Sequence, residues 1–252
     1  MPNPLKEYST KIYEGILGDV IGDVLHAGEL DLTAKVAEVA KIDSRSTVLD
    51  LASGKGVSAG FLAENFGCNI VGLDLSTSLI KSFKRGSTKS PFLEKTEFTI
   101  GDAEAIPYID SCFDVVMCEC AFNLFPDKGK VLREIYRVLR GGGRFVLTDI
   151  VLKKDLPAKL NTQLTFALCV AGAVTLQGLR DLLISTGFVS IHVEDHSEKL
   201  IALGLKLLFS DLPADTPHLS VKDQEVLEKL FSEDLLGYAL IVSYKPSTWR
   251  EG

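Results

Sequence analysis

The sequence predicts an α/β fold in which a doubly wound, mostly parallel sheet of seven strands is covered by helices. Three observations predict it. Short apolar segments alternate with longer amphipathic ones from residue 47 onward, as parallel strands alternate with crossover helices. The first apolar segment runs through a turn of small residues into a helix. The 252-residue chain, 46% hydrophobic, is also long enough to bury a large core.

The elements follow one another regularly in the first part of the chain. The predicted strands are Thr47–Leu51, Asn69–Leu73, Thr96–Ile100, Phe113–Cys118 and Arg144–Thr148. The predicted helices are Gly56–Asn65, Ser76–Phe83 and Asp127–Arg140. Three consecutive glycines, Gly141 to Gly143, are expected to end the last of these helices.

The last third of the chain predicts more helix and two further strands. Helices are expected over Pro157–Ala171, from a cap at Thr175 to Gly187, over Ser197–Phe209 and over Val221–Phe231. The two strands are Phe188–Val193 and Gly237–Tyr244. The final strand is an apolar run that ends before Lys245, and we expect it to close the edge of the sheet.

A helical region is predicted before the first strand. One helix covers residues 5–26, and a second runs from a cap at Thr33 to about Lys41. We expect residues 1–44 to form a helical lid over the ligand site. Residues 45–246 are then the ligand-binding domain, which includes the C-terminal helices on the substrate side.

Charge and hydropathy argue against several classes of partner. The formal net charge is −7 and the basic residues are scattered, so no nucleic-acid partner is expected. The N-terminus lacks the apolar stretch of a signal peptide. The stretch Leu160–Leu179 has no charge, but it contains several polar residues and Gly172, so we expect a buried helix beside a pocket and no membrane span.

The chain has five cysteines, an odd number, and no export signal was found. This pattern favours reduced thiols in a cytoplasmic protein over a disulfide framework. Nothing in the sequence predicts an oligomeric state.

The turn Ala52-Ser53-Gly54-Lys55-Gly56 after the first strand is the most informative segment. Gly54 and Gly56 allow tight backbone geometry and the close approach of a ligand. Asp74 follows about 20 residues later, at the end of the next strand. A carboxylate at this spacing meets a ribose diol in nucleotide-binding α/β folds.

Asp50 distinguishes between two possible ligands of this turn, a dinucleotide and a nucleoside that carries a methionine moiety. Dinucleotide sites use a third glycine for the pyrophosphate, and this turn lacks one. A carboxylate at the start of the turn would repel a pyrophosphate, but it suits the cationic amino group of a methionine moiety. The ligand that combines a nucleoside with methionine is S-adenosylmethionine (SAM), which is the predicted cofactor.

The segment Gly101-Asp102-Ala103-Glu104-Ala105-Ile106-Pro107 follows the third strand. With these motifs, residues 44–150 resemble class I SAM-dependent methyltransferases of the methyltransferase type 11 kind, which have a Rossmann-like fold. The resemblance implies that Asp50 and Gly54 flank the methionine part, that Asp74 holds the ribose hydroxyls, and that Asp102 and the Ala103 backbone recognise the adenine. The predicted cofactor-binding set is completed by Ala52, which replaces a common glycine, and by Gly56, Leu75 and Cys118.

The acceptor site is expected just beyond the fourth strand, near the switch point of the sheet. The segments Glu119-Cys120-Ala121-Phe122-Asn123-Leu124 and Cys169-Val170-Ala171-Gly172-Ala173 resemble arsenite methyltransferases. The resemblance implies that Cys120 and Cys169 bind trivalent arsenic, a soft element that prefers thiolates. The family usually has a further cysteine where this chain has Ala59, so a pair is expected, with Cys118 as a third ligand or a core residue. No resident metal ion is predicted.

Two other functions stay open. One is a small-molecule O-, N- or C-methyltransferase with an apolar acceptor, in which the uncharged stretch lines the pocket. The other is a SAM-binding regulator without catalysis. His26 could contact the methionine end of the cofactor from the lid, or it could be a loop residue without a role. The buried character of free cysteines also leaves a packing role open for Cys120 and Cys169.

Overall fold

The computed structural model describes residues 4, 6–7, 10, 26–86, 94–160, 162, 165–166, 168–209 and 221–247. These residues form a seven-stranded, mostly parallel sheet flanked by helices, so the predicted fold class is confirmed. The strands are β1 (Thr47–Leu51), β2 (Asn69–Asp74), β3 (Thr96–Ile100), β4 (Phe113–Glu119), β5 (Leu139–Leu152), β6 (Val189–Asp195) and β7 (Leu236–Tyr244).

The strand order is β3-β2-β1-β4-β5-β7-β6. The first five strands pair in parallel, and β7 pairs antiparallel with both β5 and β6. The chain winds outward in opposite directions from β1 and from β4, which makes their carboxyl ends the switch point where α/β sheets bind ligands. The expectation that the last strand closes the sheet edge is wrong, because β7 lies inside the sheet and β6 forms the edge.

The α-helices with complete bounds are α1 (Glu29–Val39), α2 (Val57–Phe66), α3 (Thr77–Gly86), α4 (Lys128–Val138), α5 (Leu176–Thr186), α6 (Ser197–Phe209) and α7 (Val221–Ser232). Most of the predicted helix at residues 5–26 lies outside the described residues, although positions 4, 6, 7 and 10 are helical. Within the described part of the chain, no helix combines the length and the apolar character needed to cross a bilayer.

The core has two layers because successive strand residues point to opposite faces of the sheet. Val48 and Met117 pack with residues of α1, α2, α6 and α7 on one face. Leu49 and Val116 pack with residues of α4 and α5 on the other face. Since α1 shares the first layer, this part of the predicted 1–44 region is packed into the body of the domain.

Helix α1 begins earlier than predicted. Gly28 has a φ of 88° and precedes Glu29, the first helical residue, so the backbone turns into the helix at the glycine. The predicted cap, Thr33, lies inside α1 and is fully buried. Its hydroxyl therefore lies in the interior of the protein, where it donates to the Glu119 carboxylate.

The three glycines after α4 do not end the helix. The helix ends at Val138, Leu139 is already extended, and Gly141 to Gly143 lie within β5. The pairing of β4 with β5 shifts register between Phe113 and Val115, opposite this segment. A Cβ on Gly143 would lie 2.8 Å from the carbonyl oxygen of Arg140, so the glycines permit an irregular strand entry that other residues would obstruct.

The structure does not show the helix predicted over Pro157–Ala171 as one continuous element; of the described residues in this range, only 165 and 166 are α-helical. Ala158–Leu160 forms a single 3-10 turn, and residues 168–169 and 171–172 lie in turns. A Cβ on Gly172 would overlap the carbonyl oxygen of Asn123, so this glycine lets the turn approach the segment that follows β4. The close approach, which hydropathy could not predict, brings Cys169 to the switch point.

Candidate active site

A cavity of about 1100 Å³, including its open mouth, lies at the carboxyl ends of β1, β2 and β4. Its walls combine four carboxylates with apolar side chains near β4. Of the predicted cofactor residues, it is lined by Asp50, Ala52, Gly54, Asp74, Leu75, Asp102 and Ala103. Of the predicted acceptor residues, Cys120 lines it.

The turn after β1 is built from left-handed backbone conformations. Ala52, Gly54 and Gly56 have φ values of 59°, 55° and 73°. The amides of Ala52 and Ser53 both donate to the carbonyl oxygen of Leu73, at 2.7 and 3.2 Å, which binds the turn to β2. Gly56 does not line the cavity; it precedes α2 as its N-terminal cap. Its role is to start the helix, whereas Gly54 forms the wall.

Asp74 holds the turn from the other side. Its Oδ2 accepts a hydrogen bond from the Gly54 amide, and its Oδ1 accepts one from the Ser76 amide, both at 2.8 Å. The carboxylate is thereby fixed between the ends of β1 and β2. Leu75, next to it, is 42% exposed and covers the cavity edge.

Asp50 is a buried carboxylate on the cavity wall. It is only 3% exposed, and within the described residues its Oδ2 has no hydrogen-bond partner. Burial raises the pKa of Asp50 well above its usual value, and the neighbouring Glu119 and Asp74 carboxylates raise it further. Ser53, in the turn, likewise has a buried hydroxyl oxygen without a partner. Such groups are stabilised by a ligand that brings hydrogen-bond donors or positive charge.

Asp102 and Ala103 follow β3 at the far end of the cavity. Asp102 accepts hydrogen bonds from the Lys6 ammonium at 2.9 and 2.7 Å, and Lys6 also lies 3.0 Å from Glu104. Burial opposes ionisation of Asp102, but the bonds from Lys6 outweigh it and lower the pKa of the carboxyl. Lys6 therefore connects the N-terminal region to the cavity, and neither its charge nor its position singled it out in the sequence.

A second polar network lies where β4 ends. His26 Nε2 is 3.4 Å from Glu119 Oε2 and 3.3 Å from Ser58 Oγ. The buried Thr33 hydroxyl lies 3.2 Å from both oxygens of Glu119. His26 and Glu119 both line the cavity, and their side chains are only 6% and 5% exposed.

The structure brings the two predicted acceptor cysteines together. The ligand atoms of Cys120, Cys169 and Asp149 all lie within 4.8 Å of one another. The Cys169 thiol donates to the carbonyl oxygen of Cys120 at 3.0 Å. Both cysteines have left-handed backbones, with φ values of 52° and 63°. Such conformations are uncommon for residues other than glycine and concentrate at functional sites.

Asp149 is the site residue that the sequence reasoning missed. It accepts hydrogen bonds from the Asn123 amide and side chain and from its neighbour Ile150, at 3.1, 2.9 and 2.7 Å. Burial raises the pKa of Asp149 to about 7 despite these bonds. Lys128, whose own pKa is lowered by burial, interacts electrostatically with Asp149 and Cys169. The available signal was an acidic residue inside the apolar run Phe145–Leu152.

The other cysteines lie away from the cavity. Cys118, predicted to bind the cofactor, is fully buried on the face covered by α4, and burial raises the pKa of its thiol well above the usual value. The structure therefore places Cys118 in the core and corrects that assignment, because alternate residues of β4 point to opposite faces. Cys68 is buried in the other core layer, and the Cys112 thiol donates to Ile109 O at 3.0 Å.

Comparison with known proteins identifies the family to which the chain belongs. The methyltransferase domain family matches residues 42–202. The chain is 32% identical to an arsenite methyltransferase of Halobacterium salinarum over 161 residues, which cover 62% of this chain and 41% of that protein. It is 33% identical to a sarcosine/dimethylglycine N-methyltransferase of Halorhodospira halochloris over 155 residues, which cover 62% and 56%. The chain thus spans about half the length of these two relatives.

Solved structures share the fold over nearly the whole chain. The [4+2]-cyclase SpnF superimposes with a TM-score of 0.80 at 21% identity and covers 98% of this chain and 99% of its own. Haemonchus contortus phosphoethanolamine N-methyltransferase 2, in complex with phosphomonomethylethanolamine and S-adenosylhomocysteine, also has a TM-score of 0.80, at 16% identity, covering 98% of this chain and 61% of its own. At these identities the likeness establishes the fold alone, and the same fold serves more than one chemistry.

Proposed function

The chain belongs to the SAM-dependent methyltransferase family, and we propose that it binds SAM in the cavity and transfers its methyl group to a soft acceptor held by Cys120 and Cys169. The observation that carries the cofactor assignment is the buried Oδ2 of Asp50, which lacks a hydrogen-bond partner within the described residues; Asp50 lines the same cavity as the glycine turn. A cationic ammonium placed there relieves the cost of burying the carboxylate.

The remaining wall residues fit the other parts of SAM. We assign the methionine part to Asp50, Ala52 and Gly54, and the ribose hydroxyls to Asp74, which two backbone amides already orient. We assign the adenine to Asp102, the Ala103 backbone and Leu75, at the end of the cavity beyond β2 and β3. Carboxylates around the cavity also favour a ligand with a sulfonium and an ammonium group.

The acceptor assignment rests on the two thiols. SAM supplies an electrophilic methyl group on a sulfonium. Cys120 directly follows the last residue of β4 and lines the cavity. The sulfur atoms of Cys120 and Cys169 are within 4.8 Å, close enough for one soft atom to bridge them after a small adjustment. We infer that trivalent arsenic, or a related metalloid, is this atom.

The chemistry balances without an added base. Arsenous acid reacts with two thiols to form two As–S bonds, and the thiol protons leave with two hydroxides as water. The arsenic lone pair then forms the bond to carbon while the C–S bond of the sulfonium breaks, and no proton must leave the acceptor in that step. Asp50, Asp74 and the turn hold the methyl donor, whereas Cys120 and Cys169 hold the acceptor in line with it.

A second acceptor class is favoured by one observation, the His26–Glu119 pair. These side chains lie 3.4 Å apart on the cavity wall, beside Cys120. A histidine held by a carboxylate can take a proton from a hydroxyl or amine acceptor. Leu124 and Phe125, which also line the cavity, would contact an apolar acceptor. In that case Cys120 and Cys169 are packing residues.

The N-terminal region is proposed to close the site. Lys6, Thr10 and His26 line the cavity, and Lys6 binds Asp102 directly. We propose that residues 1–44 act as a lid on the domain formed by residues 45–246, with α1 as the part already packed into the core.

One screen tests these proposals. The reduced full chain is incubated with SAM, a small thiol and arsenite, and methylated arsenic is measured by mass spectrometry under single-turnover conditions. Methylarsenic formation supports the metalloid acceptor. If no arsenic product forms but S-adenosylhomocysteine accumulates with a protic small-molecule acceptor, the second class is correct. Tight SAM binding with no transfer to any acceptor would indicate a regulator without catalysis.

A further inference from the structure

Three donor atoms meet behind the cavity wall. The Cys120 and Cys169 sulfurs and a carboxylate oxygen of Asp149 lie within 4.8 Å of one another. They come from three separate segments, namely the end of β4, the turn around Gly172 and the carboxyl half of β5. Two sulfurs and one oxygen form a donor set for a borderline-soft cation, and hard cations such as Mg²⁺ prefer oxygen donors alone.

We propose that Cys120, Cys169 and Asp149 bind a Zn²⁺ ion, with the fourth coordination position turned toward the cavity. Cys120 lines the cavity, while Cys169 and Asp149 are almost fully buried behind it. The ion would therefore enter past Cys120, and the open position would lie on that side. This inference shares two cysteines with the acceptor site proposed above, but it requires no methyl transfer.

The geometry is close to what zinc requires. Zn–S bonds of about 2.3 Å and Zn–O bonds of about 2.0–2.2 Å place the ligand atoms of a tetrahedral site roughly 3.5–3.8 Å apart. The three atoms, all within 4.8 Å of one another, need shifts of about 1 Å or changes of side-chain rotamer to reach that spacing. Three protein ligands with one open position are the usual arrangement of sites that exchange their fourth ligand.

The protons and charges also balance. The Cys169 thiol donates to the carbonyl oxygen of Cys120, so it carries its proton without the ion. Binding Zn²⁺ releases both thiol protons to solvent and leaves two thiolates and a carboxylate around the ion. The net charge of this group is −1, and the Lys128 ammonium, which interacts electrostatically with Asp149 and Cys169, offsets it.

The ligands have outer contacts that fix their orientation. Asp149 is held by three hydrogen bonds from Asn123 and Ile150. The Cys120 amide donates to Thr148 O at 2.7 Å, which fastens the cysteine to β5. Gly172 allows the Cys169 turn to approach Asn123. Contacts of this kind position metal ligands and support affinity. Because the ion uses both thiols, it excludes a thiol-bound metalloid acceptor.

Cobalt(II) is the spectroscopic probe for this site. The reduced, metal-free full chain is titrated with Co²⁺ and then with Zn²⁺. We expect a thiolate-to-cobalt charge-transfer band in the near ultraviolet that saturates at one equivalent, and we expect Zn²⁺ to remove it. Zinc titration in weak buffer should release protons. Zinc should also inhibit arsenite methylation competitively with arsenite.

Matched variants distinguish loss of a metal ligand from a general effect of substitution. Cys169→Ser should reduce the charge-transfer intensity to roughly half, since one of two thiolates remains, and Asp149→Asn should weaken binding by about tenfold or more. Cys112→Ser, whose thiol donates to Ile109 O and does not line the cavity, should match the wild type. Binding of S-adenosylhomocysteine reports whether each variant is folded.

The proposed zinc site and the proposed arsenite methylation can be refuted independently of each other. Absence of the band in the wild type, or its persistence in a variant with both Cys120→Ser and Cys169→Ser, would overturn the zinc site even if arsenite is methylated. A band that depends on both cysteines would support the zinc site even if arsenite is not methylated, and would then point to packing or metal binding as the role of the pair.

Discussion

The two ends of the cavity are built in different ways. The end proposed to bind the cofactor, called the cofactor end, consists of short turns that directly follow β1, β2 and β3, and its carboxylates Asp50, Asp74 and Asp102 lie within or beside those turns. The proposed acceptor end joins the residues after β4 to Asp149 in β5 and to a turn 49 residues beyond Cys120, and its thiols lie in left-handed backbone. The first end depends on local sequence, whereas the second depends on how distant segments pack.

The ends also differ in charge. The cofactor end presents carboxylates, and one of them, Asp50, has a buried oxygen without a hydrogen-bond partner within the described residues, so this end is suited to a cation. The acceptor end presents two thiols and Asp149, whose pKa of about 7 leaves it partly protonated at neutral pH. If the comparison is right, substitutions at one end should leave the function of the other end unchanged.

The largest effect is expected from the acceptor cysteines. Cys120→Ser and Cys169→Ser should each reduce arsenite methylation by at least about 100-fold, because a hydroxyl does not replace a thiolate for a soft atom. SAM affinity, measured by calorimetry, should stay within twofold of the wild type, taken as roughly 0.4 kcal/mol. Cys112→Ser is the control and should keep full activity.

Residual methylation in both variants, at a rate near that of the wild type, would contradict the acceptor assignment. The His26–Glu119 pair would then become the group to test, with a protic acceptor and a pH–rate profile.

The next effect is expected at the cofactor end. Asp74→Ala should weaken SAM binding by about 1–3 kcal/mol, since it removes a charged acceptor for the ribose hydroxyls and loosens the Gly54 turn. Calorimetry with SAM and with methionine alone distinguishes these two contributions. A loss for SAM and little loss for methionine supports the ribose contact, and unchanged SAM affinity would show that Asp74 is misassigned.

The pH dependence of stability reports on Asp149. Its folded pKa of about 7 lies above the reference value of 3.8, so the folded state binds the proton more tightly between these values. Asp149 should therefore lower the free energy of unfolding by about 1 kcal/mol per unit as pH rises through this window, with no further change above it. Asp50, with a pKa also raised, acts in the same direction.

Asp149→Asn isolates this contribution. The free energies of unfolding of wild type and variant are measured in urea from pH 4 to 8. Their difference should change between the two pKa values of Asp149 and should become constant above the folded pKa. The titratable groups around Asp149 include Lys128, Cys118, Cys120, Cys169 and Tyr238, and all are present in both proteins. Parallel stability curves would show that Asp149 is ionised throughout.

Asp50→Asn should have opposite effects on stability and binding. Removing a buried, unpaired charge should raise the free energy of unfolding of the ligand-free protein by roughly 1 kcal/mol, and should weaken SAM binding by a similar amount because the ammonium loses its counter-charge. Thermal unfolding with and without SAM measures both. A variant destabilised without ligand would mean that the Asp50 carboxylate is already compensated.

The smallest effect is expected from the lid. Lys6→Met removes a partly exposed ion pair with Asp102 and should lower SAM affinity by about 0.2–1 kcal/mol. Hydrogen exchange over residues 1–30, with and without SAM, measures closure. A loss as large as that of Asp74→Ala would place Lys6 in the binding site itself.

The local sequence determined the conformation of the turns at the cofactor end. The turn from Ala52 to Gly56, the carboxylate at Asp74 and the segment after β3 each combine a strand end with its own turn chemistry, and such features depend on neighbours in the chain. The bounds of β1 and of β3 match the sequence prediction, although β1 is almost fully buried and β3 is half-buried to exposed.

Other features were decided by tertiary structure. The uncharged stretch from Leu160 predicted a helix, but Gly172 lies in a turn, and a Cβ at this position would overlap the carbonyl oxygen of Asn123. The three glycines after α4 predicted a helix end, but they lie in β5, where the Gly142 amide donates to the carbonyl oxygen of Lys245 and the Lys245 amide donates to that of Gly143. Asp149 lies one residue beyond the predicted strand Arg144–Thr148, and its meeting with Cys120 and Cys169 depends on strand order and on a turn from a distant segment. Sequence alone thus predicted the turns that line the cavity because their interactions are local, whereas only packing brings the ligand atoms of Cys120, Asp149 and Cys169 within 4.8 Å of one another.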